Sequence, residues 1–230
     1  MTIAVMLAGG LGSRFAGNQP KQLHTLSGLP ILFYSFRAFD LAPEVDEIVV
    51  VAHPGWLDDI REIAETALRK TPWRVIPGGE SRNHSVDNAL QTLAEGEATI
   101  LFHDGVRPLV SLDLISRSVA ALGPGVDAVL PVIPVSDIIV DIDGHSVGQF
   151  LDRSRLRRGQ SPQVFRGETL TQAFRGASDD ELRASTSIYE VLQLHGGKPN
   201  IVTVEGDDRN IKVTFPLDRS IAQHLLASLD

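Results

Sequence analysis

Gly9, Gly10 and Gly12 crowd the opening of this chain, followed by Arg14 and, after Pro20, by Lys21. They come directly after Ile3-Ala4-Val5-Met6-Leu7-Ala8, a short apolar run of strand type. Glycines let backbone N–H groups close around a ligand, and two cations beside them suit a chain of phosphates. That chemistry points to a nucleotide; a plain glycine turn after a first strand is the simpler alternative. Two familiar phosphate loops are excluded. The dinucleotide fingerprint needs glycine where Phe15 stands, and the Walker A loop needs Gly-Lys-Ser/Thr where the chain has Gly17-Asn18-Gln19.

Four further clusters could carry chemistry. Gly78 and Gly79 lead into Ser81, Arg82 and Ser85 at a helix start, offering N–H groups to a base edge or a phosphate, or simply a helix capped by Ser81. In His103-Asp104-Gly105-Val106-Arg107-Pro108, the aspartate can hold Mg²⁺ together with phosphate oxygens, and the arginine can fork onto an anion. The same two side chains could instead form an ion pair that stitches the loop. His103 reads as a core histidine, because no second metal-binding histidine stands at helical spacing from it. Arg153, Arg155, Arg157 and Arg158 form the densest basic run, either a solvated face or an attractor for an anionic second substrate. Lys212 lies in Ile211-Lys212-Val213-Thr214, a β-rich stretch in which it would point into a cleft.

The elements that must position these residues alternate. Strands are predicted over 3–8, 46–52, 73–76, 98–103 and 127–132, and helices over 30–39, 55–70, 82–93 and 112–122. Ile48-Val49-Val50-Val51 shows no polar alternation, as suits a parallel strand covered on both faces. Such a series predicts an α/β, Rossmann-like, mainly parallel sheet with helices on both faces and ligands at the carboxyl ends of the strands. The loops at 8–14, 77–82 and 103–108 fall at those ends. From 136 to 158 the rhythm changes to a hairpin turning at Asp143-Gly144, an inserted β-arm that could fold on its own body or pair with a second subunit. A helix over 186–194, strands over 200–204 and 211–214, and a helix over 216–229 close the chain.

Bulk composition narrows the functional classes. With 230 residues, 43% hydrophobic, the chain suffices for one domain spanning 1–230, with 136–158 protruding. A net charge of −8 argues against a general nucleic-acid or anionic-membrane binder, so an anionic ligand must meet a local basic pocket. No cysteine is present, which removes disulfides, thiolate zinc sites and cysteine nucleophiles. Apolar runs are too short to span a membrane and no basic region precedes a secretory core, so the expectation is a soluble cytoplasmic protein.

Taken together and in this order, the motifs resemble a family. Ala8-Gly9-Gly10-x-Gly12-x-Arg14 with Pro20-Lys21-Gln22, Gly78-Gly79-x-x-Arg82-x-x-Ser85-Val86, His103-Asp104-x-x-Arg107-Pro108, Asp152-Arg153 with Gln160-Ser161-Pro162-Gln163, and Glu205-Gly206-x-x-x-Asn210-Ile211-Lys212-Val213-Thr214 are similar to the cytidylyltransferases acting on sugar-alcohol phosphates. That group includes the 2-C-methyl-D-erythritol 4-phosphate and ribitol-5-phosphate enzymes. The resemblance implies transfer of CMP from CTP to a polyol phosphate, with Mg²⁺ as cofactor. It implies CTP binding by Leu7, Ala8, Gly9, Gly10, Gly12, Gly79, Arg82 and Ser85, and a metal on Asp104. Arg14, Lys21, Arg153 and Lys212 would be catalytic, and Arg107, Asp137, Arg153, Thr186 and Lys212 would meet the polyol phosphate. It further implies a homodimer in which the arm carries Arg153 into the partner's site.

Ile138 follows Asp137 where the methylerythritol enzymes usually have threonine, and Ser187 follows Thr186 where aspartate is usual. Leu7 to Gly10 and Gly159 to Gln163 resemble the ribitol-phosphate branch more closely. The acceptor is therefore open between the two polyol phosphates, with a sugar 1-phosphate enzyme or a non-catalytic nucleotide-binding paralogue as alternatives.

Overall fold

The computed structural model describes residues 1–10, 19–93 and 98–228. The chain begins with β1 (Thr2–Ala8) and, after a 3₁₀ turn at Lys21–Leu23, makes a tight hairpin of β2 (Thr25–Leu26) and β3 (Leu29–Pro30). Then follow α1 (Ile31–Leu41), β4 (Glu47–Ala52), α2 (Leu57–Ala67), β5 (Trp73–Pro77), α3 (Arg82–Gln91), β6 (Thr99–Asp104), α4 (Leu112–Ala120) and β7 (Ala128–Pro134). The arm is β8 (Val140–Asp143) and β9 (Ser146–Phe150). The return comprises β10 (Arg157–Gly159), β11 (Gln163–Arg166), α5 (Gly167–Gly176), α6 (Asp179–Ala184), α7 (Ile188–His195), β12 (Ile201–Glu205) and α8 (Pro216–Ala227).

The main sheet runs β7-β11-β6-β1-β4-β5, with β12 along the other edge of β7. Strands β5, β4, β1 and β6 are mutually parallel, and β12 is parallel to β7. β10 and β11 run antiparallel to β7 at successive heights, and β11 is antiparallel to β6 as well. The period of two along β1 divides the interior. Ala4, Met6 and Ala8 pack with α1, α2 and α4 on one face, and Ile3 and Val5 pack with α3, α5, α6 and α7 on the other. Leu32, Phe36 and Phe39, one stripe of α1, are fully buried at helical spacing. A smaller core of Leu26, Ile31, Leu109, Val213 and Ala222 seats α8.

The sheet, both helical layers and the hairpin agree with the sequence-based expectation. The arm turns at Gly144, whose φ of 60° is the left-handed conformation glycine adopts without strain. Three local differences have physical reasons. Residues 211–214 form no strand: Val213 N–H bonds the Val106 carbonyl, but no neighbouring strand continues a ladder there. Pro30 caps α1 rather than standing in its first turn. The stretch from 157 to 184 holds β10, β11, α5 and α6; its strands, of three and four residues, are too short to display a period.

Among the described residues, no helix is long and apolar enough to cross a membrane.

Candidate active site

The carboxyl ends of β1, β4, β5 and β6 open onto a cleft of about 650 Å³. β1 delivers Leu7 and Ala8 to its rim, and Gly9 and Gly10 continue it. Gly12 and Arg14 lie outside the described residues. Where the chain is described again, Gln22 is 1% exposed and donates its side-chain amide to the Ala8 carbonyl at 2.6 Å. This bond ties the 3₁₀ turn carrying Lys21 to the end of β1, so Lys21 lines the cleft beside the glycines.

The opposite wall is the turn into α3. Ser81 caps the helix by accepting the His84 N–H, and Ser85 Oγ accepts the Gly79 N–H at 3.1 Å while donating to the Ser81 carbonyl at 3.0 Å. A Cβ at Gly79 would fall 2.4 Å from the His84 Cβ, so only glycine lets the turn lie against the helix. Four side chains of this turn are fastened to the segment around α6. Glu80 accepts from Arg183 at 2.8 Å, Ser81 Oγ donates to the Leu182 carbonyl at 3.2 Å, Asn83 Nδ2 to the Ser185 carbonyl at 2.8 Å, and His84 Nε2 bonds Asp179 at 2.8 Å. The wall is rigid because α6 braces it.

Asp104 ends β6 on the floor of the cleft, surrounded by cations. Lys212 Nζ lies 3.0 Å and Arg107 Nε 3.3 Å from Oδ2, and Arg82 Nη2 lies 3.7 Å from Oδ1. Burial alone would raise this carboxyl; Lys212, Arg82 and Arg107 outweigh it and hold the group well below the usual carboxylate range. Asp104 is thus ionised. Arg82 also donates Nη2 to Gln163 at 3.0 Å, while its Nη1 is buried without a partner among the described residues, a donor that an anionic or carbonyl ligand can satisfy. His103, fully buried against Phe39, is pushed down to about 3 by burial and stays neutral.

The structure thus gathers Leu7, Ala8, Gly9, Gly10, Lys21, Gly79, Arg82, Ser85, Asp104 and Lys212 around one cleft. Arg107 is placed differently from the expected role at the polyol phosphate. It lies behind the floor, 8% exposed, donating to Asp104 and through Nη1 to the Asn210 carbonyl at 2.8 Å. Its guanidinium is spent on the loop, which is the ion-pair alternative. Asp137 and Arg153 belong to the exposed arm segment, outside the lining of this cleft. Thr186 also lies outside it, its hydroxyl donated to Glu190 at 2.7 Å ahead of α7. Gln22, Ser161, Gln163 and Asn210, all inside the recognised motifs, escaped assignment because an amide or hydroxyl has no chemistry legible without its partner.

A chain of net charge −8 thus turns Lys21, Arg82 and Lys212 toward one space around one carboxylate. That balance suits a polyphosphate. Among the described residues no three His, Asp or Glu side chains cluster as a metal cage. A single ionised carboxylate could hold Mg²⁺, which keeps its waters and takes phosphate oxygens where they are present rather than an all-protein shell. Asp104 Oδ1, farther from its cation than Oδ2 is from Lys212, is the oxygen best placed for it.

Known proteins resemble this chain along nearly its whole length. The profile of the family described as "IspD: 2-C-methyl-D-erythritol 4-phosphate cytidylyltransferase" matches residues 2–228. The 2-C-methyl-D-erythritol 4-phosphate cytidylyltransferase of Cereibacter sphaeroides is 39% identical over 231 residues, covering 98% of this chain and 97% of that protein. The crystal structure of the Francisella tularensis enzyme of the same name superposes with a TM-score of 0.78 at 26% identity, covering 97% of this chain and 98% of that one. The 4-diphosphocytidyl-2C-methyl-D-erythritol synthase of Anaerococcus prevotii superposes with a TM-score of 0.83, covering 98% and 96%; at 23% identity this likeness speaks for the fold.

Proposed function

The chain belongs to the 2-C-methyl-D-erythritol 4-phosphate cytidylyltransferase family, and from that premise we propose that it transfers CMP from CTP to 2-C-methyl-D-erythritol 4-phosphate. The observation that carries the reading is the convergence of Lys21, Arg82 and Lys212 on the Asp104 cleft of an acidic chain. Full-length similarity to methylerythritol enzymes supports that acceptor over ribitol 5-phosphate, in spite of Ile138 and Ser187.

A phosphate oxygen of the acceptor attacks the α-phosphorus of CTP, the bond from that phosphorus to the bridging oxygen of the β-phosphate breaks, and pyrophosphate leaves with the electron pair. Two anions must be held in line, so positioning and fixed positive charge do most of the work. Gly9 and Gly10, which follow β1, cradle the triphosphate, and the Gly79–Ser85 turn, braced by α6, receives the cytidine. Lys21 and Lys212 face the charge that builds on the α-phosphate, with Arg14 as the third cation of the family pattern. Asp104 would hold a divalent cation, which would supply further neutralisation of the phosphate charge.

The arm makes the enzyme a homodimer and brings Arg153 to the acceptor phosphate in the partner's cleft, a reading supported by the arm's exposed apolar side chains and by Arg153 not lining its own cleft. The proposed place of action is the cytoplasm, in keeping with a reaction that consumes CTP. The test is pyrophosphate release by purified protein with CTP and Mg²⁺. Turnover should be fastest with 2-C-methyl-D-erythritol 4-phosphate, slower with ribitol 5-phosphate and absent with glucose 1-phosphate. No release with either polyol phosphate refutes the proposal.

A further inference from the structure

Ser161 sits in the turn between β10 and β11, 1% exposed and outside the lining of the cleft. Two groups meet at its hydroxyl: the Asp104 backbone N–H at 3.1 Å and His103 Nδ1 at 3.0 Å. The other ring nitrogen of His103, Nε2, lies 3.3 Å from the Arg107 carbonyl, which can only accept. In a neutral imidazole Nε2 therefore carries the hydrogen and Nδ1 accepts. The Ser161 O–H must then donate to Nδ1, leaving a lone pair for the Asp104 N–H. One directed chain of bonds runs from Asp104 through Ser161 and His103 to Arg107, closing the turn that presents the Asp104 carboxylate.

The backbone of the same residue holds the other half of the floor. Asn210 Nδ2 donates to the Ser161 carbonyl at 2.7 Å, and the Asn210 carbonyl accepts from Arg107. Lys212 follows two residues later, its Nζ 3.0 Å from Asp104. Ser161 is thus the point to which both members of the Asp104–Lys212 pair are tied.

We propose that Ser161 is a positioning residue for cytidylyl transfer, its hydroxyl fixing where the Asp104 carboxylate stands relative to Lys212. This rests on the function proposed above. Ser161→Ala keeps the carbonyl that holds Asn210 but leaves the Asp104 N–H and His103 Nδ1 facing a methyl group. Residues one shell behind a reacting centre typically change activity by about 10- to 100-fold when altered.

The experiment measures steady-state pyrophosphate release from CTP and 2-C-methyl-D-erythritol 4-phosphate, CTP affinity by calorimetry, and thermal midpoints for wild type, Ser161→Ala and Ser161→Thr. Ser161→Ala should fold, lose about 10- to 100-fold in kcat and keep its CTP affinity within about threefold, as for an interaction expressed in the transition state. Ser161→Thr, which restores the hydroxyl, should recover most of the rate. Wild-type turnover in Ser161→Ala, a threonine variant as slow as the alanine one, or a rate loss matched by loss of CTP affinity would each overturn the inference. If alanine abolishes folding, Ser161→Cys carries the test: a slowed enzyme supports the role, and a full-speed one removes it. Wild type inactive with both polyol phosphates would overturn the proposed function and this inference together; active wild type beside a fully active Ser161→Ala overturns the inference alone.

Discussion

Arg107, behind the floor of the cleft, is 8% exposed and divides its guanidinium between Asp104 and the Asn210 carbonyl. Arg153, at the foot of the arm, is exposed and donates Nη1 to the Ser136 carbonyl at 2.9 Å. The floor is a buried polar knot in which Gln160 donates to the Asp207 carbonyl, Asn210 to the Ser161 carbonyl and Arg107 to the Asn210 carbonyl, across three segments of chain. The arm is a two-stranded ribbon showing Ile142 at 65% and Phe150 at 72% exposure. An isolated hairpin is marginal in water, and large exposed apolar side chains in a cluster mark a surface meant to be covered. The contrast separates a charge fixed by buried bonds from one that stands exposed, and on the proposed reading only the second would need docking to reach a substrate.

The comparison can be broken in several ways. The largest effect should come from Lys212→Ala, which removes a cleft cation proposed to face the reacting phosphate: kcat should fall by about 10²- to 10³-fold with little change in thermal midpoint, by analogy with the loss of a preorganised electrostatic donor. Near-wild-type turnover would mean that the floor does not serve the reaction. Arg107→Ala should instead act on stability, by about 3 kcal/mol in denaturant unfolding, because it strips a buried ion pair of one partner; Arg153→Ala should stay within about 0.5 kcal/mol of wild type. Equal losses at the two positions would erase the distinction drawn here.

On the arm, Phe150→Asp should weaken self-association by about 2 kcal/mol in sedimentation equilibrium, in the range of an interface hot spot, while leaving the fold intact. Asp40 offers a calibration remote from both regions. Burial alone would raise its carboxyl; the Thr71, Lys70 and Arg69 backbone N–H groups and Arg37 together hold it below its ordinary value. A carboxyl depressed in the folded state contributes stability above its unfolded pKa of about 3.9, and the contribution fades as pH falls through and below that value. Asp40→Asn should therefore cost about 1–2 kcal/mol at neutral pH, and the gap to wild type should shrink below about pH 4. A gap independent of pH would remove the carboxylate from the explanation.

Much of this arrangement was legible beforehand, for reasons that differ by residue. The run Ile48 to Val51 announced a strand buried on both faces, and the stripe of Leu32, Phe36 and Phe39 announced the helix covering one of them, because burial imposes periods of two and 3.6. Gly79 and Asp104, which both line the cleft, stand out in the sequence because backbone approach and isolated charge leave type-specific marks. β11 was not found: four residues after Pro162 and antiparallel to both neighbours, it displays neither the length nor the alternation that a pattern needs. Lys212 lines the cleft, as its surroundings in the sequence suggest, but lies on no strand; the segment is tied there by the bond from Val213 to Val106. Arg107 could not be sorted between ligand and loop, because both uses require the same guanidinium at the same spacing.

The antiparallel insertion of β11 between β6 and β7 has a consequence for the order in which the protein is made. A ribosome delivers β6, β7 and the whole arm before residues 163–166, so the middle of the sheet is the last part of its central path to arrive. Until then β6 and β7 have no strand to bridge them, and Ser161 has not joined the Asp104 turn. A nascent chain released at residue 160 would carry the β8–β9 ribbon complete and the floor around Asp104 unassembled.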